Sequence, residues 1–223
     1  MEPAKATQFT HGPTSGRSLP SKALLLDIVE RLVILALYSQ FAIRLLTQGP
    51  GSLNIGSILI VMSESIPLFF ILVRRFSTQV SRHPFDWTIA ILATAVPLLI
   101  SPAATHASLL PEILCNAIIM LGLCIQIAAK VSLGRSYGIV PANRGVQLDG
   151  PYRFVRHPMY LGYTMTHIGF VCLMPSALTA FLYVFAFSLQ IVRVLREERV
   201  LNEDPVYRDF ASHVRYRLVP GVF

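Results

Sequence analysis

The residues best suited to chemistry fall in one stretch, GPYRFVRHPMYLGY at Gly150 to Tyr163. It is followed by REERVL at Arg196 to Leu201 and by an aromatic and basic tail ending VRYRLVPGVF. Pro158 fits the first turn of a helix, where its missing N–H costs nothing, so a helix is predicted to start there with His157 at or near the cap. The unpaired N–H groups of such a start attract anions, and Arg153 and Arg156 beside it add charge and bidentate geometry for a carboxylate. Glu197 and Glu198 suit a ligand ammonium. Neighbouring helix positions point about 100° apart, so one of the two acids faces the ligand while the other pairs with a local base such as Arg193; spacing alone does not say which. Tyr152 and Tyr160 offer aromatic faces for stacking a base or for a cation–π contact of about 0.5–2 kcal/mol. Gly162 lets a backbone or a ligand approach closely. Taken singly, a Tyr or Gly here reads as an interface anchor or a packing residue; the conjunction describes a ligand pocket.

The elements that must hold this pocket are membrane helices. The chain has 223 residues, of which 53% are hydrophobic and 14% charged, with a mean hydropathy of +0.57, more apolar than a soluble domain needs for its core. Apolar stretches run over 25–46, 55–73, 87–100, 109–129, 159–174 and 177–194, against about 20 residues for a full span. Only Pro175 and Ser176 separate the last two, which predicts a tight helical hairpin. Nothing alternates in the manner of a membrane barrel, so the expected fold is all-α: a polytopic transmembrane bundle of about six helices with a C-terminal hairpin and a cytoplasmic cofactor site.

Charge sets the orientation. Lys5, Arg17 and Lys22 precede the first span, Arg74, Arg75 and Arg82 follow the second, and Lys130, Arg135, Arg144, Arg153 and Arg156 lie between the fourth and fifth. The 101–108 loop and the hairpin tip carry no Lys or Arg. The positive-inside rule then places both termini and the 130–158 loop in the cytoplasm. Topology and anionic headgroups account for the net charge of +7, so the bilayer, and no nucleic acid, is the expected partner. Residues 1–22 read as a disordered cytoplasmic tail, 23–129 as N-terminal transmembrane helices, and 130–223 as the region that carries the chemistry. Cys115, Cys124 and Cys172 are odd in number and sit in apolar segments, which argues against disulfides and against a metal site. A second Arg-His-Pro, Arg82 to Pro84, lacks a following Tyr-x-Gly and reads as topology.

These residues resemble the isoprenylcysteine carboxyl methyltransferases and the related membrane phospholipid N-methyltransferases. The likeness covers Ala129 to Phe223. It rests on Gly150, Tyr152, Arg156-His157-Pro158 with Tyr160 and Gly162, Glu197-Glu198 with Leu201, and then Tyr207, Val214, Tyr216 and Pro220. The resemblance implies that S-adenosylmethionine is the cofactor and that it is bound by Gly150, Tyr152, Arg156, His157, Pro158, Tyr160, Gly162, Glu197 and Glu198. The sequence departs from the family at Asp204-Pro205-Val206, where a Phe-Gly is common, so a differently packed tail is expected. The loop Leu133 to Asn143, with Arg135, Ser136 and Asn143, is expected to line the entrance used by a lipophilic methyl acceptor.

The implied reaction is an in-line displacement at a sulfonium methyl, which asks the protein to align donor and acceptor and to exclude water. A carboxylate acceptor needs no general base, whereas an amine or thiol does. Arg156 and His167 are the catalytic candidates; His167 shares a helix face with Tyr160, Tyr163 and Thr164, although a histidine hydrogen-bonded within the bundle is the commoner case. The intramembrane acid Glu64, and Asp27, Glu30 and Arg31 near the first span, read as internal pairing or snorkelling. The expected acceptor is an isoprenylcysteine-like carboxylate, with phospholipid N-methylation and thiol S-methylation as alternatives. An NADPH-dependent sterol-type reductase shares an Arg-His-Pro-x-Tyr segment, but there Asn and Asp replace Met159 and Tyr163. A small transporter or scaffold leaves the clustered motifs without a purpose.

Overall fold

The computed structural model describes residues 21–47, 69–71, 73–74, 80–98, 107–219 and 221–222. Every regular element among them is a helix: α1 Ser21–Thr47, α2 Pro84–Leu98, α3 Glu112–Leu133, α4 Pro158–Leu173, α5 Ala177–Leu201 and α6 Pro205–His213. Short 3₁₀ turns lie at Gly134–Ser136 and Gly150–Arg153. Glu64, the expected span at 55–73 for all but its last few residues, and the tail up to residue 20 lie outside the described residues.

Two helical stretches, Glu112–Ser136 and Ala177–Leu201, are long and apolar enough to cross a membrane, with mean hydropathies of 2.0 and 1.9. Only 33% of the most apolar window of each is buried. Ile113, Leu121, Phe181 and Val184 project outward, which suits a lipid solvent and not water. At 15 and 16 residues, α2 and α4 are shorter than a full span. α1 is long enough but carries Asp27, Glu30, Arg31 and Arg44.

The local grammar of the helix ends is legible. α4 begins at Pro158 with His157 as its N-cap residue. At α5 the Ser176 hydroxyl accepts from the Thr179 N–H at 3.0 Å, satisfying a donor that a helix start leaves orphaned. At α6 the Asp204 carboxylate accepts from the Val206 N–H at 2.9 Å and Pro205 takes the first helical position. The segment that departs from the family pattern is thus a helix start, and it generates α6.

The connection between α4 and α5 is as short as expected, yet the two helices touch far less than a tight hairpin requires. α4 lies along α3 instead, and α5 along α2. The reason is a seam of small residues. A Cβ on Gly162 would come within 2.7 Å of the Gly122 carbonyl oxygen, and one on Gly122 within 2.8 Å of that of Gly162. The Gln126 amide donates to the Thr166 hydroxyl across the seam at 2.8 Å. Close approach of two backbones at small residues is the usual way to pack helices where lipid removes the hydrophobic driving force. α5 meets α2 through Ile89, Ala93, Val96, Ala186 and Leu189, and through an ion pair from Arg196 to the buried Asp86. Asp86 also accepts from the Ser81 hydroxyl at 2.5 Å. The residues just after the second Arg-His-Pro therefore anchor the helix that carries Glu197 and Glu198.

Candidate functional site

A cleft opens where the α3–α4 loop, the start of α4, the end of α5 and α6 converge. Its lining includes Ser136, Gly138, Val140, Ala142, Arg144 and Gln147 from the loop, and Tyr152, Arg156, His157, Met159 and Tyr160 from the second 3₁₀ turn and the start of α4. Glu197 and Leu201 come from α5, Tyr207 and Phe210 from α6.

The paired acids separate into two environments. Glu197 faces the cleft, and its carboxylate accepts from the Tyr160 hydroxyl at 2.8 Å. Glu198 is buried behind it: its Oε1 accepts from Arg156 at 3.0 Å and from the Tyr207 hydroxyl at 3.3 Å, and its Oε2 from Arg217 at 2.7 Å. His157 Nε2 lies 3.5 Å from Glu198 Oε1 and is buried with no hydrogen-bond partner.

Arg156 is committed to the protein itself. Besides Glu198, its guanidinium donates to the carbonyls of Val214 at 2.7 Å, Ala211 at 3.0 Å and Arg215 at 3.2 Å. The N–H groups of Arg156 and His157 donate to the carbonyls of Tyr216 and Arg217, both at 2.9 Å. The C-terminal tail therefore occupies donors that the sequence reading assigned to a ligand carboxylate. Arg153 is exposed and pairs with the exposed Asp149 at 3.2 Å, away from the cleft lining. Where a chain terminus can fold back onto a helix start, its carbonyls satisfy the orphan donors directly.

The remaining expected residues sort as follows. Tyr152, Arg156, His157, Tyr160, Glu197 and Ser136 line the cleft. Pro158 and Gly162 are buried in the packing of α4. Gly150 adopts φ +63°, a conformation side chains rarely take, and a Cβ there would meet the Ser132 hydroxyl at 2.5 Å; it shapes the turn that presents Tyr152. Arg135 is exposed and donates to the Val73 carbonyl at 2.8 Å, and Asn143 donates to Asp204 at 2.8 Å; neither lines the cleft. His167 is buried deeper along α4, stacked on Tyr183 with ring centroids 4.5 Å apart. Burial pushes the Tyr152 and Tyr207 phenols well above their usual range, with the Glu197 charge adding to it at Tyr152 and those of Glu198 and Glu197 at Tyr207, so both hydroxyls stay protonated.

Reading from sequence missed the support of the loop. Glu30 of α1 accepts the N–H groups of Ile139 at 2.7 Å and Val140 at 2.9 Å and pairs with Arg144 at 2.7 Å and Arg74 at 2.9 Å. Asp27 pairs with Arg31 at 2.8 Å and Arg74 at 2.7 Å. The internal pairing expected of Asp27, Glu30 and Arg31 is present, but its reach to the cleft has no local sequence signal, because Glu30 and Arg144 stand 114 positions apart.

Residues 113–203 match the isoprenylcysteine carboxyl methyltransferase (ICMT) family. The matched stretch, under half of the chain, is similar to a domain of that family. The ICMT family consists of membrane methyltransferases that use S-adenosylmethionine as methyl donor. A search of curated proteins found no match. The ICMT domain runs from the second residue of α3 to just past α5, so it takes in the Arg-His-Pro segment and the paired acids. It starts earlier than the stretch that carried the resemblance in sequence, and it stops before α6 and the tail.

Proposed function

We propose that this protein is an S-adenosylmethionine-dependent methyltransferase of the membrane that methylates the carboxylate of a lipophilic, isoprenylcysteine-like acceptor. The observation that carries the reading is the convergence of Tyr152, His157, Tyr160 and Glu197 on one cleft that belongs in large part to the ICMT domain. These groups fit the donor: a carboxylate for its ammonium, and aromatic faces for a purine and a sulfonium. Bound S-adenosylmethionine would supply an electrophilic methyl carbon for a carboxylate oxygen of the acceptor, with its sulfur as the leaving group.

The chain's own work is positional. Glu197, held by the Tyr160 hydroxyl, orients the ammonium end. Tyr152, Tyr160 and Tyr207 wall the cationic centre. α6 and the tail close the cleft against water, which strengthens each of these electrostatic contacts. With a carboxylate acceptor no proton has to move. In this reading the cleft end of the bundle faces the cytoplasm, the side that the distribution of Lys and Arg favours.

The test is calorimetric titration of the detergent-purified protein with S-adenosylmethionine and, separately, with NADPH, for the wild type and Glu197→Gln. Saturable binding of the former that the variant weakens about tenfold or more supports the reading, and labelled methyl transfer to a prenylcysteine acid completes it. Binding of NADPH alone would sink it in favour of a reductase.

A further inference from the structure

α6 is a short amphipathic helix that stands apart from the bundle. Its Tyr207 and Phe210, one turn apart, are buried and line the cleft, while Arg208, Asp209 and Ser212 are exposed. Among the described elements no other helix packs closely along it. Two aromatic side chains and polar contacts at its ends hold it in place. Of the residues that line the cleft only Gly145 is exposed, so the space behind α6 is nearly closed.

The polar contacts form two clasps. At the start of α6, one oxygen of Asp204 caps the helix through the Val206 N–H, and the other accepts from the Asn143 amide at 2.8 Å. Asn143 belongs to the α3–α4 loop, which forms the facing wall of the cleft. Beyond the end of α6, the carbonyls of Tyr216 and Arg217 accept from the N–H groups of Arg156 and His157, and those of Ala211, Val214 and Arg215 accept from the Arg156 guanidinium. The Arg217 guanidinium donates to Glu198 at 2.7 Å, and the Tyr207 hydroxyl donates to the same acid at 3.3 Å. One buried carboxylate thus ties α6, the tail and the start of α4. Between α5 and α6 lie only Asn202, Glu203 and Asp204, and the first two are exposed.

A polar donor such as S-adenosylmethionine comes from water and has to pass this wall. An element held at its ends, with little packing along its length, opens more readily than the core helices do. We infer that α6 and the tail through Val219 form a lid that pivots at Asn202 and Glu203 as one body. The Asn143–Asp204 bond holds it shut at one end and the Arg217–Glu198 pair at the other. Its opening sets the rate at which the donor and its demethylated product exchange. The clasp at Asp204 is particular to this chain, because it stands where the sequence departs from the family pattern. The lid takes its purpose from the methyltransferase reading, whereas the motion follows from the contacts alone.

Hydrogen exchange on the full chain in detergent, with no ligand added, reads the lid directly, because tail carbonyls protect the amides of Arg156 and His157. Two variants loosen opposite ends. Arg217→Gln takes the tail's charge away from Glu198. Asn143→Asp sets a second carboxylate against Asp204 and keeps the side-chain oxygen that accepts from the Gly145 N–H at 3.0 Å. Each is expected to lower protection at 156 and 157 about tenfold, while the amides of α3 and of the middle of α4 stay as in the wild type and verify the fold. Asn143→Ala, which only removes the donor, should give a smaller loss in the same direction. Rapid mixing with S-adenosylmethionine should then show association and dissociation accelerated by the same factor, with Kd within about twofold of wild type, the mark of a gate; a lost contact with the donor raises dissociation alone. Unchanged protection at 156 and 157 in folded Asn143→Asp would overturn the inference, because α6 and the tail would not move together. So would wild-type rates of donor exchange in variants whose amides have lost protection. Failure of the wild type to bind S-adenosylmethionine would instead count against the donor reading, and the two amides in the Asn143 variants would still decide the lid.

Discussion

Glu197 and Glu198 are chemically identical neighbours whose surroundings give them different work. Glu198 sits among Arg156, Arg217 and the Tyr207 hydroxyl, and neutralising it leaves two part-exposed cations without their shared acid. Glu198→Gln is therefore expected to cost about 1–3 kcal/mol of stability and to lower the thermal midpoint, with the tail becoming accessible to protease. Glu197→Gln, on the cleft side, should leave the midpoint near wild type and act on donor affinity, as calorimetry will show. The buried phenols make a prediction in pH. Tyr152 and Tyr207 have folded-state pKa values raised above the unfolded value of about 10. Their stabilisation is thus complete below about pH 10 and is lost as pH rises beyond it, when only the unfolded chain ionises. Thermal melts across that range should show a falling alkaline limb, and Tyr152→Phe should make it shallower.

At the scale of elements, the α3–α4 seam decides whether the start of α4 is presented correctly. Gly162→Val places two methyl groups where the Gly122 carbonyl and the Gln126 side chain already lie. Overpacking of this kind costs about 1–3 kcal/mol where neighbours can adjust, and here the Gly122 carbonyl oxygen, 2.7 Å from a Cβ, belongs to the backbone. We expect a lowered thermal midpoint and a weakened donor site together. Paired replacement of Gln126 and Thr166 by apolar residues of similar size should be nearly neutral, because both partners of that hydrogen bond leave at once. Melting curves and donor titration of the same samples check both statements. The helix starts at Pro158 and just after Ser176 were readable because capping and breaker residues act locally, whereas the start at Pro205 was read only as a departure from the family pattern. The parting of α4 from α5 was not readable, since loop length limits how far apart two helices can be and says nothing of which third helix offers a better surface.

At the scale of the molecule, the buried cluster of Asp27, Glu30, Arg31, Arg74 and Arg144 joins the first helix to the loop that forms one wall of the cleft. The cluster lies largely outside the ICMT domain, yet Glu30 holds the backbone of Ile139 and Val140. Removing Glu30 leaves Arg74 and Arg144 buried without their shared acid. Glu30→Ala is expected to cost about 3–5 kcal/mol, and hydrogen exchange should show the amides of 139 and 140 losing protection before those of α3 and α4 do.

The sequence by itself determined the class of fold, the apolar character of α3 and α5, the start of α4 and the gathering of Arg-His-Pro with the paired acids. Each of these follows from hydropathy, capping or spacing within a short window, where physical chemistry acts between near neighbours. Only the tertiary structure decided which acid faces the cleft, that Arg156 serves the tail, that Gly162 serves α3, and that Glu30 supports the loop. A side chain's role in these cases is set by whichever distant group reaches it first, and a tail carbonyl or a buried guanidinium leaves no mark on the residues beside its partner.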